Sequence, residues 1–99
     1  MQYMLKATAI LKEKKVLGEV VIEMVVWQLP RATTDRPHGY KYRLYCGRSG
    51  RCLVRYDNET GKGDHVHEGN TERPYRFVCL DRLIADFEAD VLRQMIEGD

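Results

Sequence analysis

The feature that most constrains the fold is a series of segments in which apolar and polar side chains alternate. The longest covers residues 18–29 and has the period of two that is typical of a β-strand. Its many β-branched residues disfavour a helix, and Pro30 predicts its end because proline cannot donate a hydrogen bond to a sheet ladder. The residues predicted on its apolar face are Val20, Ile22, Met24 and Val26.

Two further alternating segments, residues 40–46 and 51–57, flank a turn at residues 47–50 that contains two glycines. A four-residue connection between alternating strands predicts a β-hairpin. The side chains predicted on its inner face are Tyr40, Tyr42, Leu44, Cys46, Cys52, Val54 and Tyr56. Those predicted on its outer face are Lys41, Arg43, Tyr45, Arg51, Leu53, Arg55 and Asp57.

Weaker patterns predict the remaining extended segments. Residues 6–11 alternate loosely and predict a strand that forms a hairpin with residues 18–29, with the charged run 12–15 as the turn between them. Residues 31–39 contain proline, glycine and threonine and predict a loop. Residues 73–79 predict a short strand that begins at its proline.

The C-terminal part predicts a helix over about residues 81–97, with Asp81 as its N-cap and Gly98 as its stop. Apolar residues recur there at spacings of three and four and form a single stripe. They are Leu80, Leu83, Ile84, Phe87, Val91 and Met95. The sequence therefore predicts one α+β domain over residues 1–99, an antiparallel sheet built from hairpins with one C-terminal helix packed across it.

Composition is that of a globular protein, with 43% hydrophobic and 31% charged residues. No apolar run approaches the roughly 20 residues of a membrane span, and the first residues lack the pattern of a signal peptide. Cys46, Cys52 and Cys79 lie within apolar patterns and are not spaced as zinc ligands. We therefore expect reduced thiols, a cytoplasmic location and no membrane partner.

Charge is distributed unevenly although the formal net charge is only +1. Residues 31–55 contain seven basic residues and one acid, whereas residues 81–99 contain six acids and two arginines. A basic middle that includes the outer face of a hairpin could bind a polyanion such as RNA through its phosphates and through stacking on Tyr45. An ordinary solvated sheet face is the alternative interpretation.

The segment 55–67 concentrates chemically active side chains. Its two histidines, His65 and His67, stand two residues apart and point to the same side if the chain is extended. Two imidazoles can share the general-base and general-acid roles at neutral pH, and RNA cleavage by its own 2′-hydroxyl needs such a pair. Lys62 and Arg55 are candidates for stabilising the phosphorane, and Asp57 or Asp64 for orienting a histidine.

Three other interpretations of this segment remain open. His65, His67 and Asp64 could supply imidazole and carboxylate to a metal, but a third ligand would have to come from a distant position such as Asp57, Glu68 or His38. Lys62 nearby would oppose a cation. We therefore expect chemistry without a metal or another cofactor.

Gly61 and Gly63 could form a small anion nest for a phosphate, although the spacing is not that of a Walker A loop. A polar, solvated loop with no chemistry is the simplest alternative.

The remaining aromatic and basic residues are divided between structural positions and the predicted substrate-binding surface. His38 is expected to be an exposed loop residue, and Trp27 and Phe87 are expected to lie in the core. The residues predicted to bind substrate are Lys41, Arg43, Tyr45, Arg51, Tyr56, Gly61 and Gly63.

Several motifs together resemble the TumE-type toxins of bacterial type II toxin–antitoxin pairs, and the resemblance covers nearly the whole chain. The most specific part is Arg-Tyr-Asp-Asn, which starts at Arg55, followed by Lys-Gly-Asp-His-x-His, which starts at Lys62. The other parts are Lys-Tyr-Arg-Leu at Lys41, Pro-Tyr-x-Phe at Pro74, and Leu-x-x-Asp-Phe, which ends at Phe87.

The resemblance implies a small cytoplasmic toxin that inhibits growth when it is free. It also implies a cognate antitoxin, commonly one with a helix-turn-helix DNA-binding domain. Combined with the histidines, this predicts a metal-independent endoribonuclease. The alternatives are a non-catalytic basic module that binds an antitoxin, the ribosome or a nucleic acid, and a metal-dependent hydrolase that uses the same histidines.

Overall fold

One antiparallel sheet forms the framework of the computed structural model, which describes residues 6–97. In this part of the chain the strands follow one another in the sheet in sequence order, and a single helix comes after them. The elements are β1 (Thr8–Leu17), β2 (Val20–Gln28), β3 (Tyr40–Arg48), β4 (Arg51–Asp57), β5 (His65–Glu68), β6 (Thr71–Pro74) and α1 (Leu80–Glu97). The predicted α+β class, with a helix across the sheet, is confirmed.

Helix α1 packs across one face of the sheet and buries its predicted apolar stripe there. Leu83, Phe87 and Val91 are the buried members of the stripe. They belong to the same core as Leu44, Val54 and Tyr56 of the central strands. The ring of Tyr56 stands edge-on to that of Phe87 with 5.8 Å between centroids, which is a favourable aromatic geometry. We call the sheet face beneath α1 the helix face and the opposite one the distal face.

The first hairpin is longer than predicted, and the turn proposed at residues 12–15 is wrong. These charged residues continue β1 and pair with β2, while the chain reverses at Gly18 and Glu19. Gly18 has φ of 62°, a left-handed conformation that glycine adopts without steric cost. A charged run can remain in a strand here because β1 is an edge strand exposed over nearly all its length.

A β-bulge reverses part of the predicted facing in the second hairpin. The register of β3 against β4 shifts between Cys46 and Gly47, so that Gly47 lies opposite Cys52 and Arg48 opposite Arg51. Arg48 contacts Met95 of α1, with 4.0 Å between Nη2 and Sδ. Arg51 therefore lies on the helix face and Cys52 on the distal face, and both predicted assignments are wrong because a bulge inserts one residue into the alternation.

The two histidines lie on a strand and not in a loop. His65 and His67 belong to β5, which pairs with β4 on one side and β6 on the other. The strand predicted over residues 73–79 is correct only at its start, because β6 ends at Pro74. The following amide, that of Tyr75, donates instead to the carbonyl of Asp64 at 3.0 Å, and the chain then leads without regular structure to α1.

The helix begins one residue earlier than predicted. The Leu83 amide donates to the Cys79 carbonyl at 3.0 Å, so Asp81 lies within the first turn and not at the N-cap. Its negative charge is still favourable there, close to the positive end of the helix dipole. The stop predicted at Gly98 lies outside the described residues. Within residues 6–97, no helix has both the length and the apolar character needed to cross a membrane.

Candidate functional site

The register of the central strands brings four of the six predicted catalytic residues together on the distal face. Asp57 lies directly opposite His65, and Arg55 lies directly opposite His67. Strand β3 extends these two rows with Arg43 opposite Asp57 and Tyr45 opposite Arg55. On the other side, β6 places Glu72 opposite His67. Directly paired residues in adjacent strands have side chains close enough to interact, so this register creates a cluster.

Asp57 and His65 form a buried pair at the centre of the cluster. Asp57 Oδ1 lies 2.5 Å from His65 Nε2, and the two side chains are only 4% and 6% exposed. The other His65 nitrogen, Nδ1, lies 2.9 Å from the carbonyl oxygen of Gly63. Because a carbonyl oxygen can only accept, Nδ1 carries a proton. Neutral His65 would therefore present its Nε2 lone pair to the carboxylate, so a proton or another cation is needed between them.

Arg55 provides the second partner of Asp57. Its Nε lies 2.9 Å from Asp57 Oδ2, and its side chain is 28% exposed. A buried carboxylate is costly unless charges of opposite sign surround it, and the guanidinium supplies such a charge. Arg55 thus fixes one carboxylate oxygen and leaves the other to face His65.

His67 is the more accessible of the two histidines. Its ring is roughly perpendicular to that of His65, with 4.8 Å between the ring centroids, and its side chain is 22% exposed. Nδ1 of His67 lies 3.4 Å from Glu72 Oε2. Nε2 is buried and has no hydrogen-bond partner among the described residues. A buried polar atom without a partner is costly and is typical of functional positions.

A basic and aromatic surface adjoins the cluster on β3. The guanidinium carbon of Arg43 lies 4.9 Å from the centroid of the Tyr45 ring, a cation–π distance. The Tyr45 ring extends over Gly47, where an added Cβ would lie 2.1 Å from its hydroxyl oxygen. Trp27 lies on the same face, opposite Lys41, and is only partly buried. Its prediction as a core residue is therefore wrong, whereas Phe87, at 1% exposure, is confirmed in the core.

Cys52 lies on this face but lacks the properties of a reactive nucleophile. Burial raises the pKa of its thiol above the ordinary value, although the nearby Arg55 and Arg43 guanidinium groups oppose that shift. A raised pKa keeps the sulfur protonated and weakly nucleophilic at neutral pH. The imidazoles of the cluster are therefore better candidates for chemistry than this thiol.

Asp64 belongs to a second, separate cluster. Its Oδ1 accepts from the Tyr42 hydroxyl at 2.5 Å and lies 3.0 Å from His38 Nε2. Nδ1 of His38 accepts from the Tyr40 amide at 3.1 Å, and its ring stacks on Phe77 with 3.9 Å between centroids. The His38 side chain is only 11% exposed, so its prediction as an exposed loop residue is wrong. Asp64 orients His38 and not His65.

In the glycine loop, residues 61–63, two backbone amides already donate hydrogen bonds to protein groups. The Gly61 amide donates to Asp35 Oδ2 at 3.2 Å, and the Lys62 amide donates to the Glu59 carbonyl at 3.1 Å. Gly61 and Gly63 have φ values of 84° and 71°, which explains glycine at both positions. Two of the amides of the predicted anion nest are thus engaged. The contribution of Gly63 is the carbonyl that holds His65.

Two predicted substrate-binding residues face away from the cluster. Tyr56 is buried on the helix face, where its hydroxyl donates to Asp90 Oδ2 at 2.5 Å. Burial and the Asp90 carboxylate raise its pKa well above the ordinary value, so the hydroxyl remains a donor. Arg51 lines a different groove, with Glu68 and Gln94. Neither side chain therefore lies on the distal face.

A shallow groove of about 290 Å³ gives access to the edge of the cluster. It is lined by Lys62, Asp64, His65, Glu72, Arg73 and Pro74. Lys62 is exposed there, as a residue that contacts a phosphate must be. Sequence reasoning missed Glu72 as a member of the site, because only the β5–β6 register places it beside His67.

The donor atoms of the cluster also satisfy the first requirement for a metal site. One ligand atom each from Asp57, His65 and His67 lies within 4.8 Å of the others. The alternative set proposed from the sequence, with Asp64 as the carboxylate, is wrong because Asp64 is directed to His38. Asp57, which the sequence analysis named only as a distant possibility, supplies the carboxylate.

Comparison with known proteins identifies the chain by its sequence family. No matching relative is found among curated proteins, and no matching solved structure is found. The family model described as Toxin TumE matches residues 4–95, which is nearly the whole chain. That span includes every residue of both histidine clusters, and the resemblance seen in the sequence motifs is confirmed. The chain therefore belongs to the TumE toxin family.

Proposed function

We propose that this toxin is an endoribonuclease that cleaves RNA at the Asp57–His65–His67 cluster by acid–base catalysis. The observation that supports this best is the pairing of two imidazoles, 4.8 Å apart between ring centroids, with Arg55 beside them. Attack of a 2′-hydroxyl on the adjacent phosphate needs a base, an acid and a nearby cation. The cluster offers one of each on a single sheet face.

His67 is the proposed base. Its Nε2 is buried and lacks a partner among the described residues, and its side chain as a whole is the more exposed of the two. Glu72 lies 3.4 Å from the opposite nitrogen, Nδ1, where its carboxylate would favour the tautomer that presents Nε2 to substrate. His67 would remove the proton from the 2′-hydroxyl.

His65 is the proposed acid, with Asp57 as its positioning residue. The proton held between Asp57 and His65 would have to pass from this contact to the departing 5′-oxygen, and His65 borders the groove through which RNA would approach. Arg55 and Lys62 would stabilise the charge that develops on the phosphorane.

Binding of RNA is proposed along β3 and the neighbouring edge of β2. Lys41 and Arg43 would contact phosphates, while Tyr45 and Trp27 offer faces on which unstacked bases can stack. Chemistry and binding would then share the distal face, while α1 covers the other.

The proposal is tested with purified, chelator-treated protein and with growth on inducible expression. We expect wild type to arrest growth and to produce discrete new RNA ends without added metal, and His65→Ala and His67→Ala each to abolish both effects. His38→Gln is the matched control, because it changes a histidine outside the cluster. Circular dichroism establishes that each variant is folded. Toxicity and new ends in both folded cluster variants would reject the acid–base assignment.

A non-catalytic toxin is the second candidate, favoured by the engagement of both His65 nitrogens and by the 6% exposure of that side chain. Here the basic distal face would bind a partner such as an acidic antitoxin segment or the ribosome. This candidate predicts growth arrest without new RNA ends. It also predicts salt-sensitive binding that is lost in Lys41→Ala/Arg43→Ala but kept in His67→Ala.

Family membership makes a cognate antitoxin a proposed partner in either case, with a helix-turn-helix protein as the expected type. Co-expression with the product of the neighbouring gene, followed by co-purification, tests this proposal. Restored growth together with a stable complex would support it.

A further inference from the structure

We propose that Asp57, His65 and His67 bind one divalent transition-metal ion, of which Zn²⁺ is the representative probe. This inference rests on the geometry of the cluster and is independent of whether the protein cleaves RNA. One ligand atom from each residue lies within 4.8 Å of the others. Two imidazoles and one carboxylate are a donor set used by zinc and other first-row metals.

The outer contacts of both histidines favour metal binding through Nε2. Nδ1 of His65 faces the Gly63 carbonyl at 2.9 Å, and Nδ1 of His67 faces Glu72 Oε2 at 3.4 Å. Metal-binding histidines almost always use their second nitrogen in this way, on a carbonyl or a carboxylate, which fixes the tautomer that presents a lone pair to the ion. In both histidines, Nε2 is therefore the nitrogen that would coordinate the ion.

One inner atom is left without a hydrogen bond within the described residues. His67 Nε2 is buried, and it has no hydrogen-bond partner among residues 6–97. His65 Nε2 lies 2.5 Å from Asp57 Oδ1, a contact between two acceptors unless a cation lies between them. A metal ion would satisfy all three atoms at once.

Binding of an ion requires the side chains of the cluster to move. Zinc bonds of about 2.0–2.2 Å place tetrahedral ligand atoms about 3.3 Å apart. Asp57 and His65, now 2.5 Å apart, would separate by about 1 Å, and ligand atoms as far as 4.8 Å apart would approach by up to about 1.5 Å. Arg55 contacts the other carboxylate oxygen, Oδ2, and leaves Oδ1 for the ion. Lys62 is exposed, so its ammonium can remain in solvent.

Three protein ligands leave at least one coordination position for water or an anion, as in catalytic and regulatory zinc sites. If RNA is cleaved as proposed above, the ion would occupy the nitrogens that transfer protons. A bound transition metal would then inhibit that activity.

The test uses untagged full-length protein, freed of metal with a chelator, and measures Zn²⁺ binding by calorimetry and the visible spectrum of Co²⁺. We expect one ion per chain and intense Co²⁺ bands of a tetrahedral or five-coordinate site. His67→Ala should abolish both, and Glu72→Gln should weaken affinity by about 10-fold, the lower end for loss of an outer partner. Asp64→Asn and His38→Gln are the matched controls and should retain binding.

Zn²⁺ should also raise the melting temperature of wild type in a concentration-dependent way, but not that of folded His67→Ala. Absence of binding by wild type would overturn the proposal. So would binding that survives in His67→Ala, or that is lost in folded Asp64→Asn or His38→Gln. Because these measurements involve no RNA, their failure is distinguishable from failure of the proposed nuclease activity.

Discussion

Two aspartate–histidine pairs lie in this small fold, and they differ in how completely they are hydrogen-bonded. In the Asp64–His38 pair, both histidine nitrogens have partners, and the carboxylate also accepts from the Tyr42 hydroxyl. The Asn58 side chain adds bonds to the Tyr40 carbonyl and from the Tyr42 amide. This pair joins the loop after β4 to the start of β3.

The Asp57–His65 pair is buried to a similar depth, but it lies beside His67, which is not satisfied. His67 Nε2 is buried and lacks a hydrogen bond within the described part of the chain. A satisfied polar network stabilises a fold, whereas buried polar atoms without partners cost stability and persist where a function needs them. We therefore infer a structural role for the first pair, and the proposed chemistry lies at the second pair and His67.

The largest expected effect is on activity. Removal of an acid or base commonly reduces rate by about 10²–10⁴-fold, so His67→Ala should lower RNA cleavage by that amount. Its free energy of unfolding should change by less than about 1 kcal/mol, since a partly exposed side chain with an unsatisfied nitrogen contributes little to stability. Cleavage assays and urea denaturation on the same preparation measure both. A large loss of stability would mean that His67 has a structural role like that of the Asp64–His38 pair, which would contradict the comparison.

Asp64→Ala should show the opposite behaviour, with a loss of about 2–3 kcal/mol in the free energy of unfolding. The change leaves the buried Tyr42 hydroxyl and His38 Nε2 without their acceptor. Urea denaturation gives the value, and Asp35→Ala is the control, because that side chain accepts from an exposed loop amide, that of Gly61. Unchanged stability together with lost cleavage would show that the roles of the two pairs have been exchanged.

The sequence predicted the strands and the helix better than it predicted which side chains contact one another between them. Alternation identified β2 and most of β3 and β4, and the apolar stripe identified α1, because each pattern depends on local periodicity. The contacts between aspartates and histidines depend instead on strand register, and the register places Asp57 opposite His65. Asp64 is adjacent to His65 in sequence yet contacts His38 across the sheet end.

The facing of Arg51 and Cys52 could not be predicted for a related reason. A bulge moves one residue out of the alternation, and neither residue type at that point signals it. Trp27 was expected in the core, but β2 directs it to the face that α1 does not cover. Long-range pairing, and not local propensity, determines these details.

A transition metal should inhibit the proposed RNA cleavage at the Asp57–His65–His67 cluster. Chelator-treated wild type should cleave RNA, and saturating Zn²⁺ should inhibit cleavage by 10-fold or more, since a ligand at about 10 times its Kd leaves about a tenth of the protein free. Titration of cleavage against Zn²⁺ measures this. Activation by Zn²⁺ would instead indicate a metal-dependent hydrolase.

Gly47→Ala should have a smaller effect, on RNA binding. An added Cβ would overlap the Tyr45 hydroxyl and displace the ring from its position on the distal face. Loss of one stacking platform is worth about 1–3 kcal/mol, so affinity for single-stranded RNA should fall by about 5-fold or more. Tyr45→Phe keeps the ring and should bind normally. Equal weakening in both variants would mean that the ring face is not the contact.

The smallest effect concerns pH and the helix face. The Tyr75 hydroxyl and Arg82 hold the pKa of Asp86 below its ordinary value, against the effect of burial. A lowered folded-state pKa contributes stability above the unfolded pKa, and this contribution is lost as pH falls through the folded value. Asp86→Asn should therefore flatten the decline of stability below about pH 4. A decline as steep as that of wild type would contradict the assignment.

The chemistry of the RNA ends tests the central claim most directly. Acid–base attack by a 2′-hydroxyl leaves a 2′,3′-cyclic phosphate on one product and a 5′-hydroxyl on the other. We expect chelator-treated wild type and the His38→Gln control to produce these ends, and folded His67→Ala to produce none. Ends with a 5′-phosphate, or cyclic phosphates that persist in His67→Ala, would contradict the assignment of catalysis to the Asp57–His65–His67 cluster.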